Sequence, residues 1–455
     1  MAASVAVLAV QHDIAATMVD GGVPNDFPRG PDASGNQPAM NEREDRSGGE
    51  AGTGRDGRLA LAFVYCGALA AFIALSRYML VARDTVVTLR NNVLFETDTS
   101  VRLRYLADAG AEAVGRLELA QHPALFYVWR PIGRLLSIVL TPLLPAGEGR
   151  VLAAQLLVCG FAATAATFLF NVARRWRAGT VRALLVTAVF VLATSSVLLV
   201  VPEHWAMASA LMLACFAGVS AAGPLSVWRG VWLALLAGLI TLTTVTNAIF
   251  ATLVGMTHLR RAGWKRAERA AWVAIGLAGI AGLAVIVPRL VGTRAVAGFF
   301  NFRLWQAPID AAVYTVFALV GSITGPVPRT SVEREHIVLS YEPISFALYS
   351  PVQWAGVIAW AVLLGFCIWQ GLRTAETRGW SAWLLAWIAF NVLFHNIWGD
   401  EFFLYSPHYV WALIVVVAIS ARRIPVPVLA TAVALITTAQ IYAFWTIGQL
   451  ARTPV

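Results

Sequence analysis

Charge is what this 455-residue chain has least of: Lys, Arg, Asp and Glu make up 13% of it, against 58% hydrophobic residues. With a mean hydropathy of +0.69, that scarcity excludes an ordinary soluble domain, where roughly a quarter of the residues are charged. Cysteine is nearly absent as well. Cys66, Cys159, Cys215 and Cys367 each lie in an apolar run, with no CxxC spacing and no His partner nearby, so neither a disulfide framework nor a thiolate metal site is indicated. No repeat of fixed period is visible, which removes a solenoid and gives no support to an inverted transporter-type duplication. The net charge of +9 is spread over short basic clusters between apolar runs rather than one patch, so it reads as a topology signal and not as a nucleic-acid surface. What is left is an all-α polytopic membrane protein.

Residues 1–57 are rich in Gly, Asp, Asn, Ala and Arg and have no apolar period, too little to offset the entropy of ordering. The expectation is a disordered cytoplasmic tail, followed by a transmembrane domain over 58–455. The run Ala3–Val10 lacks a basic n-region and is too short to span. Arg55 and Arg58 precede the first long apolar run, Leu59–Val81, which puts its N-terminal end in the cytoplasm. An external loop is then expected at about 83–147. Within it, Pro123–Leu144 is apolar but carries Arg130, Pro131 and Arg134, and two arginines in mid-bilayer are costly. This segment therefore reads as an amphipathic helix at the outer interface, with its arginines toward headgroups or an anionic ligand.

Leaving that helix out of the span count places Arg174, Arg175 and Arg177, then Arg229, then His258 to Arg266, then Arg373 and Arg378, then Arg422 and Arg423, on one cytoplasmic side. The expected spans after it are about Val151–Val172, Val181–Val201, Trp205–Ala222, a short pair turning at Thr246-Asn247, Ala270–Val287, Val352–Gln370, Ala382–Phe394, Tyr409–Ile419 and Val428–Ile447. A second external loop covers 289–350. The total is about eleven transmembrane helices plus external interfacial helices.

The external ends then collect Glu96, Asp98, Arg102, His122, Glu203, His204, Asn247, His336, His395, Asn396, Asp400, Glu401 and His408, which include five of the seven histidines. Carboxylates and imidazoles gathered at one surface suit general-base activation of a hydroxyl, or a divalent cation. Interfacial loops also carry polar residues for solvation alone. The stretch Phe394–Tyr409 is too polar for a tight turn between spans. Its aromatics suit an interfacial belt, stacking on a sugar ring or guidance of a polyprenyl tail, and Asp400, Glu401 and His408 are candidates for a donor-phosphate or metal site.

An N-terminal span, an outer loop with the early acids Glu96-Thr97-Asp98, a His122-Pro123 followed by Ala124-Leu125-Phe126-Tyr127, and a span closing on Arg174-Arg175 resemble the GT-C superfamily of membrane glycosyltransferases. The flavour is that of the protein mannosyltransferase and aminoarabinose transferase group, over about residues 59–260. The resemblance implies a GT-C-like fold, a first-loop carboxylate as catalytic base and a sugar on a polyprenyl phosphate as donor. Residue by residue, Asp98 matches the first-loop acid, His122-Pro123 the His-Pro of the interfacial helix, and Glu203 a second acidic position after the third span. Two departures stand out. Ala124 replaces the usual second Pro, and Glu96-Thr97-Asp98 replaces an adjacent acidic pair, so Glu96 and Asp98 both stand as the base.

An inverting transfer also needs cations or donors at the departing phosphate, and Arg suits this by bidentate pairing. Arg102, Arg130 and Arg134, with His122, Glu203, His204, His395, Asp400, Glu401, Tyr405 and His408, make up the expected donor or substrate contacts. The expected function is transfer of a sugar from a polyprenyl-phosphate donor to an envelope glycan, lipid or protein on the extracytoplasmic face of the plasma membrane. The cofactor question stays open between none and a divalent Mg or Mn. A lipid-linked polysaccharide polymerase or ligase is the alternative enzyme. A transporter or flippase is the alternative of another class, which would place charges in mid-membrane helices.

Overall fold

The computed structural model describes residues 53–80, 106, 122–145, 147–221, 227–261, 303–333, 336–341, 345–398 and 402–450. The expected tail at 1–57 lies almost wholly outside the described residues, as does the expected span at 270–287. Apart from one hairpin, the described residues with regular structure are helical. In chain order they form α1 (Thr53–Leu80), a π-helical turn (Leu125–Trp129) running into α2 (Arg130–Leu140), α3 (Glu148–Arg175), α4 (Gly179–Leu192), the single turn α5 (Ser196–Leu199) and α6 (Trp205–Ser220). Then come α7 (Val227–Thr243), α8 (Ala248–Arg261), the single turn α9 (Arg303–Gln306), α10 (Pro308–Val320), the antiparallel strands β1 (Arg329–Glu333) and β2 (His336–Ser340), α11 (Pro351–Arg373), α12 (Ala375–His395), α13 (Val410–Ser420) and α14 (Val426–Leu450).

Four of these helices, not eleven, are long and apolar enough to cross a membrane among the described residues: α1, α3, α11 and α14. Of the other expected spans, Trp205–Ala222 and Tyr409–Ile419 correspond to helices of only 16 and 11 residues, and Val181–Val201 is broken. The expected span Val181–Val201 stops at Leu192 because the chain there bonds elsewhere. Thr194 N–H donates to the Ile323 carbonyl and Ser195 N–H to the Ser322 carbonyl, both at 3.0 Å, while Gly325 N–H donates to the Thr194 hydroxyl at 2.9 Å. A tertiary backbone partner has replaced the next helical turn. The second expected loop also differs, since 289–350 contains the apolar helix α10 and the hairpin, with Arg329 opposite Ser340 and Glu333 opposite His336.

α3 is the central post. Its most apolar stretch is 78% buried, against 28% to 33% for α1, α11 and α14, so those three lie at the periphery around it. α6 and α13 are buried along almost their whole length and pack on α3. The α3 sequence explains its place: Ala153, Ala154, Ala162, Ala163, Ala165 and Ala166 keep its surface small, so neighbouring helices approach closely. Its hydroxyls turn inward on its own backbone, with Thr164 donating to Gly160 and Thr167 to Ala163, each at 2.8 Å, which satisfies them without a partner helix.

The arginine clusters gather at one end of the bundle, where they cap helix C-termini. Arg175 donates to the Ala217 carbonyl at 3.0 Å, Arg229 to Gly218 at 3.1 Å and to Ala221 at 2.7 Å, and Arg182 to Ile424 at 2.9 Å. Arg423 reaches the Gln370 side chain at 3.1 Å and the Thr374 hydroxyl, and Arg422 pairs with Glu376. The last carbonyls of a helix have no intrahelical donor and carry the negative end of its dipole, so a guanidinium there is favourable on both counts.

α11 starts at a capping box: the Ser350 hydroxyl accepts from Gln353 N–H while the Gln353 side chain accepts from Ser350 N–H, with Pro351 at the first helical position. α11 lies on α14 through Gly356, where an added Cβ would strike the Ala439 side chain. Gly356→Val is expected to destabilise the protein by about 1–3 kcal/mol through overpacking. Thermal unfolding in detergent checks this, with Gly365→Val, at a position with open space around it, as the control.

Candidate functional site

At the end of the bundle opposite the arginines, five helix termini and one returning loop meet. His122 opens the helix that carries the π turn and α2. Its Nδ1 lies 3.0 Å from the Thr243 carbonyl at the end of α7, and because a carbonyl only accepts, Nδ1 is the protonated nitrogen. Glu203 and His204 stand at the start of α6. One oxygen of the Glu203 carboxylate lies 3.1 Å from His204 Nδ1 and 3.3 Å from the His204 backbone N–H. The His122 and His204 rings stack with centroids 3.9 Å apart and an interplanar angle of 27°.

The row continues across the bundle. His408 lies 6.0 Å from His204, ring to ring, and His395, the last residue of α12, lies 6.5 Å from His408. Tyr405 stacks on His395 at 4.0 Å and 10°. All four histidines and Glu203 are buried. His408 belongs to a 3-10 segment, Phe402–His408, that folds back between helices rather than lying outside them. Trp387 of α12 and Trp411 of α13 both donate their indole N–H to the His408 carbonyl at 2.9 Å, and the Ser209 hydroxyl of α6 donates to Pro407 at 2.8 Å. Phe403 is buried against Tyr341, with centroids 4.5 Å apart, so it is not part of an exposed aromatic belt.

Several buried polar atoms on these segments have no hydrogen-bond partner: Thr244 Oγ1, Asn247 Nδ2, Asn396 Oδ1, Ser406 Oγ and His408 Nδ1. Gln155 of α3 is fully buried and neither its amide oxygen nor its nitrogen is bonded. It sits one helical turn from Cys159, which hydrogen-bonds Ser76, whose hydroxyl in turn donates to the Val200 carbonyl at 3.0 Å beside the Glu203 segment. An unpaired polar atom in a protein interior costs about 1–3 kcal/mol unless water or a ligand meets it.

The sequence-derived candidates therefore divide into three groups. His122, Glu203, His204, His395, Tyr405 and His408 come together as one buried cluster. Arg130 and Arg134 lie two and three turns further along the helix that His122 opens. There they line an open groove of about 670 Å³ with Phe126, Tyr127, Pro131, Leu135 and Ile138. Glu96, Asp98, Arg102, Asp400 and Glu401 lie outside the described residues. Among the described residues, no group of three or more His, Cys, Asp or Glu side chains is arranged to hold a metal ion, so the Mg or Mn expectation gains no ligand set here. Trp387, Trp411, Gln155 and the Thr243 carbonyl were not legible as site components, because an apolar run gives no sign of which indole or carbonyl faces a returning loop. No protein-family model matches the chain, and no curated protein is significantly similar to it. The class that fold and site define is thus a multi-helix protein with four helices long and apolar enough to cross a membrane among the described residues and a buried histidine row at one end of the bundle.

Burial holds the His408 imidazole down, to about 4 from an ordinary 6.5. A histidine whose native-state proton affinity is depressed contributes its full stability above pH 6.5 and loses it as the pH falls toward 4, because the unfolded chain then binds the proton first. The groups facing it are His204 and His395. Stability is expected to fall across that window by at most about 3 kcal/mol from this residue. His408→Gln flattens the acid slope of a melting-temperature profile, whereas an unchanged slope shows that the ring is protonated as readily in the folded protein as in the unfolded chain.

Proposed function

We propose that this protein is a membrane glycosyltransferase of the GT-C kind, which moves a sugar from a polyprenyl-phosphate donor to an envelope glycan, lipid or protein outside the cytoplasm. The observation that carries the reading is the helix beginning at His122. Its first residue belongs to the buried cluster, and its middle presents Arg130 and Arg134 in a groove flanked by exposed Tyr127, Leu135 and Ile138. Two guanidiniums beside apolar side chains match a phosphate attached to a hydrocarbon chain. The helix is not among those long and apolar enough to cross a membrane, which fits a position at the interface. A π-helical turn between His122 and Arg130 adds support, since such turns occur often at functional sites.

The groove holds the donor phosphate and the buried cluster receives the sugar and the acceptor hydroxyl. The His408 imidazole, amides and hydroxyls with unused hydrogen-bonding capacity suit a polyhydroxylated ring, and Tyr405 and Phe126 supply aromatic surface near each half.

The test uses the purified full chain in nanodiscs with a panel of radiolabelled polyprenyl-phosphate pentoses and hexoses, and cell-envelope extract as acceptor. Sugar appearing on the acceptor with release of polyprenyl phosphate supports the reading, while movement of intact donor across the bilayer without release points to a flippase. The double variant Arg130→Ala, Arg134→Ala is expected to raise the KM for donor about tenfold or more, in line with loss of charge-assisted hydrogen bonds worth about 1.5–3 kcal/mol each. Arg→Lys at both positions recovers part of that loss, because the charge returns without the bidentate geometry.

A further inference from the structure

We infer that His204, oriented by Glu203, is the proton acceptor that activates the acceptor hydroxyl; this rests on the glycosyl-transfer reading above. The cluster has the internal order that a general base requires. Glu203 places a carboxylate oxygen 3.1 Å from His204 Nδ1, so with the carboxylate ionised Nδ1 carries the proton and Nε2 the lone pair. The same oxygen lies 3.3 Å from the His204 backbone N–H, which fixes the carboxylate relative to the ring it serves. The third member is His122, stacked at 3.9 Å and itself held by the Thr243 carbonyl, which sets the plane of the His204 ring.

Two imidazolium rings at that separation repel, so at most one of the pair carries charge. A base held by a third group that is itself buried and hydrogen-bonded is the arrangement that activates hydroxyl nucleophiles in unrelated folds.

The step balances with groups already named. The O–H bond of the acceptor breaks as its proton passes to His204 Nε2. The freed electron pair forms the new bond to the anomeric carbon, and the bond from that carbon to the donor phosphate oxygen breaks, its pair leaving with the phosphate. The imidazolium formed on His204 is stabilised by the Glu203 carboxylate and returns its proton to solvent. His204 is the catalytic residue in this scheme; Glu203 and His122 are positioning residues. The assignment differs from the first-loop carboxylate, Glu96 or Asp98, that the sequence resemblance implies as the base.

The test is the pH dependence of kcat/KM for release of polyprenyl phosphate, measured with the full chain in nanodiscs on whichever polyprenyl-phosphate sugar the wild type uses. The wild type is expected to lose rate tenfold per pH unit on the acid side of one titrating group. His204→Gln removes that limb and lowers kcat about a hundredfold or more with little change in donor KM. Glu203→Gln moves the limb to lower pH by about one unit or more, because the imidazole has lost its anionic partner. Glu203→Asp restores part of the displacement. Asp98→Asn leaves the limb where it is in the wild type.

The inference is overturned by an active His204→Gln enzyme that keeps the wild-type limb, or by an Asp98→Asn enzyme that alone loses it. Should His204→Gln fail to fold, by loss of its melting transition, Glu203→Gln decides: an undisplaced limb overturns the assignment. A wild type that releases polyprenyl phosphate from no donor removes the glycosyl-transfer reading and this inference together, whereas an active wild type with an unaffected His204→Gln variant removes the inference alone.

Discussion

The carbonyl of His408 is the point on which the site end of this protein depends. A loop can enter an apolar bundle only if its backbone polar groups are met there, since each one left bare costs a large part of a domain's net stability. Phe402–His408 meets that condition with three side-chain donors from three helices: two indoles on the His408 carbonyl and one hydroxyl on that of Pro407. Proline at 407 also removes a backbone N–H that would otherwise need an acceptor. With the segment held this way, the His408 ring falls between His204 and His395, and Tyr405 closes over His395. The aromatic content of α12 and α13 is thus a hydrogen-bonding device as well as packing. Trp387, Trp411 and Phe250 meet edge to face with centroids 5.1–5.6 Å apart, which keeps both indoles aimed at one oxygen.

The opposite end of the bundle solves the same problem with charge. Helices ending at Ser220 and Arg373 leave carbonyls unpaired, and arginines from other segments donate to them. A basic cluster at a helix end therefore has two physical reasons to be there, membrane orientation and C-terminal capping. The two ends divide their labour: one has guanidiniums that close helix termini, and the other has the His408 imidazole, amides and hydroxyls that leave some capacity unused.

Much of this was legible in the sequence at the level of ends and faces. Alternating apolar runs and basic clusters located the helices and grouped His122, Glu203, His204, His395 and His408 on one side, and the structure brings those residues together. The two arginines in Pro123–Leu144 set that segment apart in the sequence, and its helix is not among those long and apolar enough to cross a membrane. The span count was not legible, because hydropathy measures burial and does not distinguish lipid from protein as the apolar partner. α6 and α13 are as apolar as any span yet only 16 and 11 residues long, and they are covered by other helices. Helix breaks such as Ala193–Ser195 were hidden for a related reason: the residues that accept and donate there, Ser322, Ile323 and Gly325, are more than a hundred positions away in the chain.

Whether the histidine row is packing or chemistry turns on how this protein treats its other buried amides. Gln353 uses both ends of its amide, accepting from Ser350 and donating to the Gly325 carbonyl at 2.6 Å. Gln440 reaches the Val189 and Ile323 carbonyls, each at 3.2 Å. Gln155 is equally buried and uses neither. A leucine at that position would fill the space at no polar cost, and the same holds for Asn396 and Ser406, whose side-chain oxygens are also unmet. Unmet polar atoms also occur away from the site, at the Gln440 amide oxygen and at Ser195, Ser381 and Trp383. What sets the site end apart is that Thr244, Asn247, Asn396, Ser406 and His408 carry such atoms on segments that converge there, and polar capacity left open in a dry interior is what a hydrogen-bonding substrate would fill.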